Sequence, residues 1–134
     1  PLAMMTALKY FSVSGNTFDN GQLATLANFT DLNTLYLRDS QLTDISALVG
    51  LTALTKLYLT NNQLVDISVL ASLTDLTTIR LQNNQIADIA VLLTLTDAVS
   101  IDLIGNDSVS CTQLDDLVAA MAVGVVNKPD SCSN

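Results

Sequence analysis

The residues of this chain that could do chemistry are thirteen aspartates, two cysteines, three tyrosines and five lysines or arginines. Histidine, tryptophan and glutamate are absent from all 134 positions. That removes an imidazole base, the Ser/His and Cys/His nucleophile pairs and imidazole metal ligands, and any carboxylate pair would have to be made of aspartates. Asp102 beside Arg80 and Asp39 beside Arg38 are the remaining acid–base candidates. On an open surface they read more simply as ion pairs worth about 0–1 kcal/mol, so no catalytic residue, cofactor or enzymatic activity is expected of this segment. Asp44, Asp66 and Asp88 recur at a constant spacing of 22 residues. Carboxylates on successive turns could attract a hard cation such as Ca²⁺, but an Asp ahead of Ile-Ser-x-Leu is better placed to cap a short helical turn, and no metal site is assigned.

Cys111 and Cys132 bracket the last segment. Two thiolates without histidine are too few for zinc, and no Cys-x-x-Cys is present. A disulfide closing a loop of roughly 20 residues is expected, worth about 3 kcal/mol in the chain-entropy model. Such a bond persists in oxidising surroundings, which favours an extracytoplasmic location: secreted, surface-exposed or periplasmic.

Composition narrows the partners. Hydrophobic residues make up 49 % of the chain and charged ones 13 %, a balance that folds rather than stays disordered. The net charge of -8 opposes phosphate backbones and anionic lipid, so no nucleic acid is expected. The longest apolar run, Leu117 to Val126, is about half the roughly 20 residues of a membrane-spanning helix. No signal peptide is visible at the N-terminus.

The elements that position these groups come from a repeat. Units starting at Leu8, Leu32, Leu54, Leu76 and Ala98 read LKYFSVSGNTF, LNTLYLRDSQL, LTKLYLTNNQL, LTTIRLQNNQI and AVSIDLIGNDS, at spacings of 24, 22, 22 and 22 residues. The middle three continue as TDISALVGLT, VDISVLASLT and ADIAVLLTLT. Two extra residues in the first unit, Asp19 and Asn20, are expected to lengthen its turn. Pro1 to Ala7 read as the tail of a further unit, with Leu2, Met5 and Thr6 in register with Leu48, Leu51 and Thr52, so more repeats or another domain are expected ahead of Pro1. Period-two alternation points side chains such as Leu57 and Leu59 inward from a short strand, and Ile67, Leu70 and Leu73 close the core through a short helical turn. One unit cannot bury both faces alone, so stacked units share one core.

This pattern resembles the leucine-rich-repeat family, in the 22-residue class carrying L-x-D-I-x-x-L-x-x-L-T, as in bacterial internalins and a eukaryotic phosphatase regulator. The resemblance implies an α/β fold: a right-handed solenoid with a curved parallel sheet on its concave side and helical turns on its convex side. Residues 1–110 form the repeats and 111–134 a C-terminal cap. Paired cysteines in a terminal cap are common in extracellular members, which points away from the cytosolic regulator. In the cap, Thr112 is expected to start a helix with Asp115 and Asp116 in its first turn, an apolar face of Leu114, Leu117, Val118 and Met121, a stop at Gly124, and a last strand at Val125 and Val126.

Asn16, Asn62, Asn84 and Asn106, with Ser40 in the same place, fit a structural ladder that satisfies turn backbone groups, and Ser40 is expected to be its weak rung. The outward strand positions carry the candidate binding face: Tyr10, Tyr36, Arg38, Lys56, Tyr58, Arg80, Gln82 and Asp102. All three tyrosines and three of the five cations fall there against one of thirteen aspartates, leaving the rest of the chain at a formal -10. Tyrosine and arginine among small hydroxyls suit a protein interface, and the family commonly binds proteins through this face. The expected function is protein recognition or adhesion by a monomeric bacterial module. A structural spacer in a larger surface protein, or a glycan groove over Tyr36 and Tyr58, are the alternatives.

Overall fold

The computed structural model describes residues 7–121 and 124–132. Leu2, Met5 and Thr6, read as the tail of a further unit, lie outside the described residues.

Strands β1 (Tyr10–Ser12), β2 (Thr34–Tyr36), β3 (Lys56–Tyr58), β4 (Thr78–Arg80), β5 (Ser100–Asp102) and β6 (Val125–Asn127) form one parallel sheet in chain order. Each step keeps the repeat register, so Tyr36, Tyr58, Arg80, Asp102 and Asn127 lie abreast. Three residues suffice for a strand because only the middle one must enter the core: Leu35, Leu57, Ile79 and Ile101 are buried while their flanks face outward.

The convex side turns through 3-10 helices at Ser46–Gly50, Ser68–Ser72 and Ala90–Thr94. Their geometry is written in the apolar spacing. Ile45, Leu48, Leu51 and Leu54 stand three apart, and the N–H groups of Leu48, Leu51 and Leu54 donate to the carbonyls of Ile45, Leu48 and Leu51 at 3.0, 2.9 and 3.1 Å. A three-residue turn places every third side chain on one face, and all four are buried. The core is therefore a set of like-on-like stacks, for example Leu48, Leu70 and Leu92, each buried, with each full Leu worth about 1.5–3 kcal/mol on burial.

The first unit differs. Asp19 and Asn20 do not merely lengthen a turn; they open an α-helix, α1 (Asn20–Thr25). Asp19 Oδ1 accepts from the Gln22 N–H at 2.7 Å, and the Asp19 N–H donates to Gln22 Oε1 at 3.0 Å, a reciprocal capping box.

The cap departs from expectation at both ends of its helix, α2 (Cys111–Ala120). Ser110, not Thr112, is the N-cap, its Oγ accepting from the Gln113 N–H at 3.2 Å. The helix thus starts earlier, Asp115 and Asp116 fall outside its first turn, and Val118 is turned to solvent while Leu114 and Leu117 are buried. The helix ends at Ala120, ahead of Gly124. Gly124 serves a close approach instead: a Cβ there would meet the Val99 carbonyl oxygen at 3.0 Å and Met121 Cε at 2.6 Å, where β6 joins the sheet. Cys111 and Cys132 form a disulfide with Cα atoms 5.4 Å apart. Lys128 Nζ on Asp115 at 2.8 Å ties the segment after β6 to α2, and Gln113 Nε2 reaches Asp88 Oδ1 at 3.2 Å, tying α2 to the fourth repeat.

Candidate functional site

The turn after each strand is held by side-chain amides. Asn62 Nδ2 donates to Leu59 O at 2.9 Å in its own rung and to Leu37 O at 2.8 Å in the rung before, while its Oδ1 accepts from the N–H groups of Ser40 and Leu42. Asn84 and Asn106 repeat this one and two rungs on, accepting from Leu64 N and Ile86 N. These amides are buried and fully occupied, so nothing is left for a ligand. Asn16 is exposed and bonds only the carbonyls of Val13 and Ser14. Ser40 sits buried in the same place, but its hydroxyl reaches only Arg38 O at 2.9 Å.

One position earlier in every unit the backbone is left-handed: Gly15, Asp39, Asn61, Asn83 and Gly105 all have φ between 53° and 77°. Glycine, Asn and Asp are the residues that tolerate it. Their side chains make a second, exposed ladder, Asn83 Nδ2 to Asn61 Oδ1 and Asn61 Nδ2 to Asp39 Oδ1, both at 2.7 Å. Gly105 ends it, because a Cβ there would fall on Asn83 Oδ1. Asp44, Asp66 and Asp88 sit just ahead of the 3-10 turns rather than in the cap position itself, and each accepts from the N–H two residues on, Ser46, Ser68 and Ala90, at 2.7–2.9 Å.

The strand face carries what the ladders do not. Tyr36 and Tyr58 are abreast on neighbouring strands, and strand spacing of about 4.8 Å brings their rings into a stack at 4.1 Å with 9° between planes. Tyr10, on the adjacent strand, meets Tyr36 at 5.2 Å with a 46° tilt. The Arg38 guanidinium sits astride the stacked pair, 5.1 Å from the Tyr36 centroid and 4.8 Å from that of Tyr58, and so lies along the shared edge of the two parallel rings rather than over either face. Its Nε is buried there without a hydrogen-bond partner. Burial pushes the Tyr58 phenol above its usual range, helped by a hydrogen bond to and repulsion from Tyr36 and opposed by Arg80 and Arg38. Both guanidiniums therefore act on that hydroxyl. Arg80 Nη1 donates to Ser100 Oγ at 2.8 Å, and Thr60 Oγ1 donates to Gln82 Oε1 at 2.7 Å. Lys56 is exposed between Thr34 and Thr78 in register.

The two expected ion pairs are not made. Asp102 is only 6 % exposed, with Oδ1 accepting from the Ile104 N–H at 3.2 Å and Oδ2 from Asn127 Nδ2 at 2.8 Å. Asp39 accepts from Asn61 instead of facing Arg38. Asn127 is thus a member of the face that sequence reasoning missed. It comes from the cap strand, whose register no repeat spacing foretells. The two ion pairs among the described residues are Lys9–Asp31 at 3.7 Å and Lys128–Asp115 at 2.8 Å, both off this face.

The comparisons with known proteins fit this geometry. A family model of paired leucine-rich repeats matches residues 30–72 and again 52–94. An internalin from Listeria monocytogenes superposes with a TM-score of 0.79 at 28 % identity, over 98 % of this chain and 41 % of its own. Internalin C2 from the same organism gives a TM-score of 0.76 at 31 % identity, over 94 % of this chain and 54 % of its own. The Arabidopsis receptor kinase HAESA, solved with a peptide hormone and a co-receptor, gives a TM-score of 0.59 at 28 % identity, over 72 % of this chain and 17 % of its own. This chain thus spans about half or less of each of these structures. No functionally curated protein matches it.

Proposed function

Because this chain is a leucine-rich-repeat protein of the 22-residue, internalin-like class with a disulfide-closed cap, we propose that it recognises another protein through the strand face of its sheet. The observation that carries this reading is the stack of Tyr10, Tyr36 and Tyr58 with Arg38 astride it. Stacked rings lose little conformational freedom on binding, and Tyr and Arg are enriched among residues that dominate interface energies. HAESA is a solved relative in fold that holds a peptide, which supports a polypeptide ligand here. Tyr36 and Tyr58 turn one face each toward the other, engaging faces that a sugar would need. That favours protein over glycan. The disulfide supports an oxidising setting outside the cytoplasm for this work.

The test is capture of partners from host cell-surface extracts by the wild-type chain and by a folded Tyr36→Ala/Tyr58→Ala/Arg80→Ala variant. A partner held by the first and lost by the second is the expected result. Retention by both would move the site elsewhere, and capture by neither would leave the chain a spacer.

A further inference from the structure

The chain has five cations, and the structure divides them. Lys9 and Lys128 each pair with an aspartate, Asp31 and Asp115. Arg38, Lys56 and Arg80 have no carboxylate within ion-pair distance among the described residues, and all three stand on the strand face. The two acids that border them are occupied: Asp102 is buried on Asn127 and Ile104, and Asp39 on the turn accepts from Asn61. In a chain of net charge -8, a face with three unpaired cations runs against the composition. Asp102 keeps its charge beside Arg80, so the face counts three cations against one anion, a formal +2, while aspartates farther away are damped over about 8 Å at physiological ionic strength.

We infer that the occupant of this face is an acidic segment of a partner protein, an extended run in which two or three carboxylates meet Arg38, Lys56 and Arg80 while an apolar or aromatic neighbour packs on the tyrosines. This rests on the strand face being the binding site. Arg38, Lys56 and Arg80 come from three successive rungs, Arg38 two residues past and Lys56 two residues before the row that holds Tyr36, Tyr58 and Arg80, so at about 4.8 Å per strand and about 3.3 Å per residue their backbones stand roughly 8–14 Å apart, within the length of about three to five extended residues. Charge complementarity selects the sign. The extent selects the class, since a polyanion tracks a long basic surface, and here the cations stop after three rungs within an acidic molecule. Arg38 is already oriented by the two rings.

The experiment selects short random peptides, displayed on phage, against the 134-residue chain, and measures binding of the winners by titration. Winners should be enriched in Asp and Glu, and raising salt from about 50 to about 300 mM should weaken them about tenfold. Lys56→Gln/Arg80→Gln, which leaves Arg38 and the rings in place, should cost about tenfold or more, whereas Lys9→Gln/Lys128→Gln should change binding less than about twofold. Neutral or basic winners that are lost in Tyr36→Ala/Tyr58→Ala but kept in Lys56→Gln/Arg80→Gln would overturn the acidic occupant and leave the site standing. Winners indifferent to both variants, or no winners at all, would overturn site and occupant together. Two further arms name rival occupants: a heparin oligosaccharide bound with the same loss in Lys56→Gln/Arg80→Gln, or self-association in sedimentation abolished by that variant, would each overturn the partner-protein proposal.

Discussion

Down the core the same kinds of side chain return every 22 residues, whereas on the strand face no two rungs carry the same three outward residues. Leu48, Leu70 and Leu92 stack like on like, and Asn62, Asn84 and Asn106 make the same pattern of bonds. The outward trios run Tyr10, Ser12, Ser14, then Thr34, Tyr36, Arg38, then Lys56, Tyr58, Thr60, and so on. Recurrence marks what every rung must do to stand on its neighbour. Variation marks what no rung needs for standing, and there the tyrosine stack and the unpaired cations have collected. The same sheet thus supplies a structural side and the side proposed for recognition, distinguished by which set of alternate side chains is read.

The sharpest way to break that division is a recurring residue. Leu59→Ala empties a site buried between two rungs and is expected to cost about 2–5 kcal/mol, read as a drop in melting temperature and denaturant midpoint. Tyr58→Ala, its immediate neighbour in sequence, loses a stacking partner worth about 0.5–1.5 kcal/mol beyond its area. A cost for Tyr58→Ala equal to that of Leu59→Ala would show that the face is part of the scaffold and would dissolve the distinction.

The amide ladder gives a finer contrast because it contains its own exception. Asn84→Ser strips Nδ2 from Leu59 O and Leu81 O and the acceptor from Leu64 N, and is expected to cost about 1–3 kcal/mol. Ser40→Asn is the reverse change and should gain less, about 0.5–1.5 kcal/mol, by donating to Val13 O in the rung before. That carbonyl already accepts from Asn16, as Leu59 O accepts from both Asn62 and Asn84. A lower melting temperature for Ser40→Asn would mean that the turn at Phe18, whose N–H donates directly to Ser40 O at 3.2 Å, closes the space an amide needs.

What could be read from the sequence follows the same line. The period fixed which residues are inside and which strand positions face out, because a period-two strand and a fixed repeat leave no freedom in either. The tyrosines and cations of the face were visible for that reason. Their mutual geometry was not, since whether Arg38 lies on two rings or on Asp39 depends on side-chain angles. Asp102 turned to Asn127 because the cap adds a strand in register, and the cap lies outside the repeat. Two signals were legible and passed over. Asp19 and Gln22 have the spacing of a capping box, and Gly15, Asp39, Asn61, Asn83 and Gly105 are the residue types that a left-handed backbone selects.

The smallest expected effect lies on the convex side, at a residue that recurs but is exposed. Asp66 is solvent-exposed, yet its carboxyl is held below the usual range by the Ser68 backbone N–H and then the Ser68 hydroxyl, with desolvation acting in the opposite direction. A carboxyl whose folded pKa is depressed contributes stability that is present above its unfolded value, about 4, and is lost as pH falls through the folded one. Acidification below that point should therefore lower the melting temperature, and Asp66→Asn should remove part of the slope. Asn keeps an oxygen for the Ser68 N–H but does not titrate, so the turn survives while its pH dependence goes. If the two melting profiles stay parallel through the acid range, the bond at Asp66 sets the shape of the turn without stabilising it, and recurrence on this side of the molecule records geometry rather than energy.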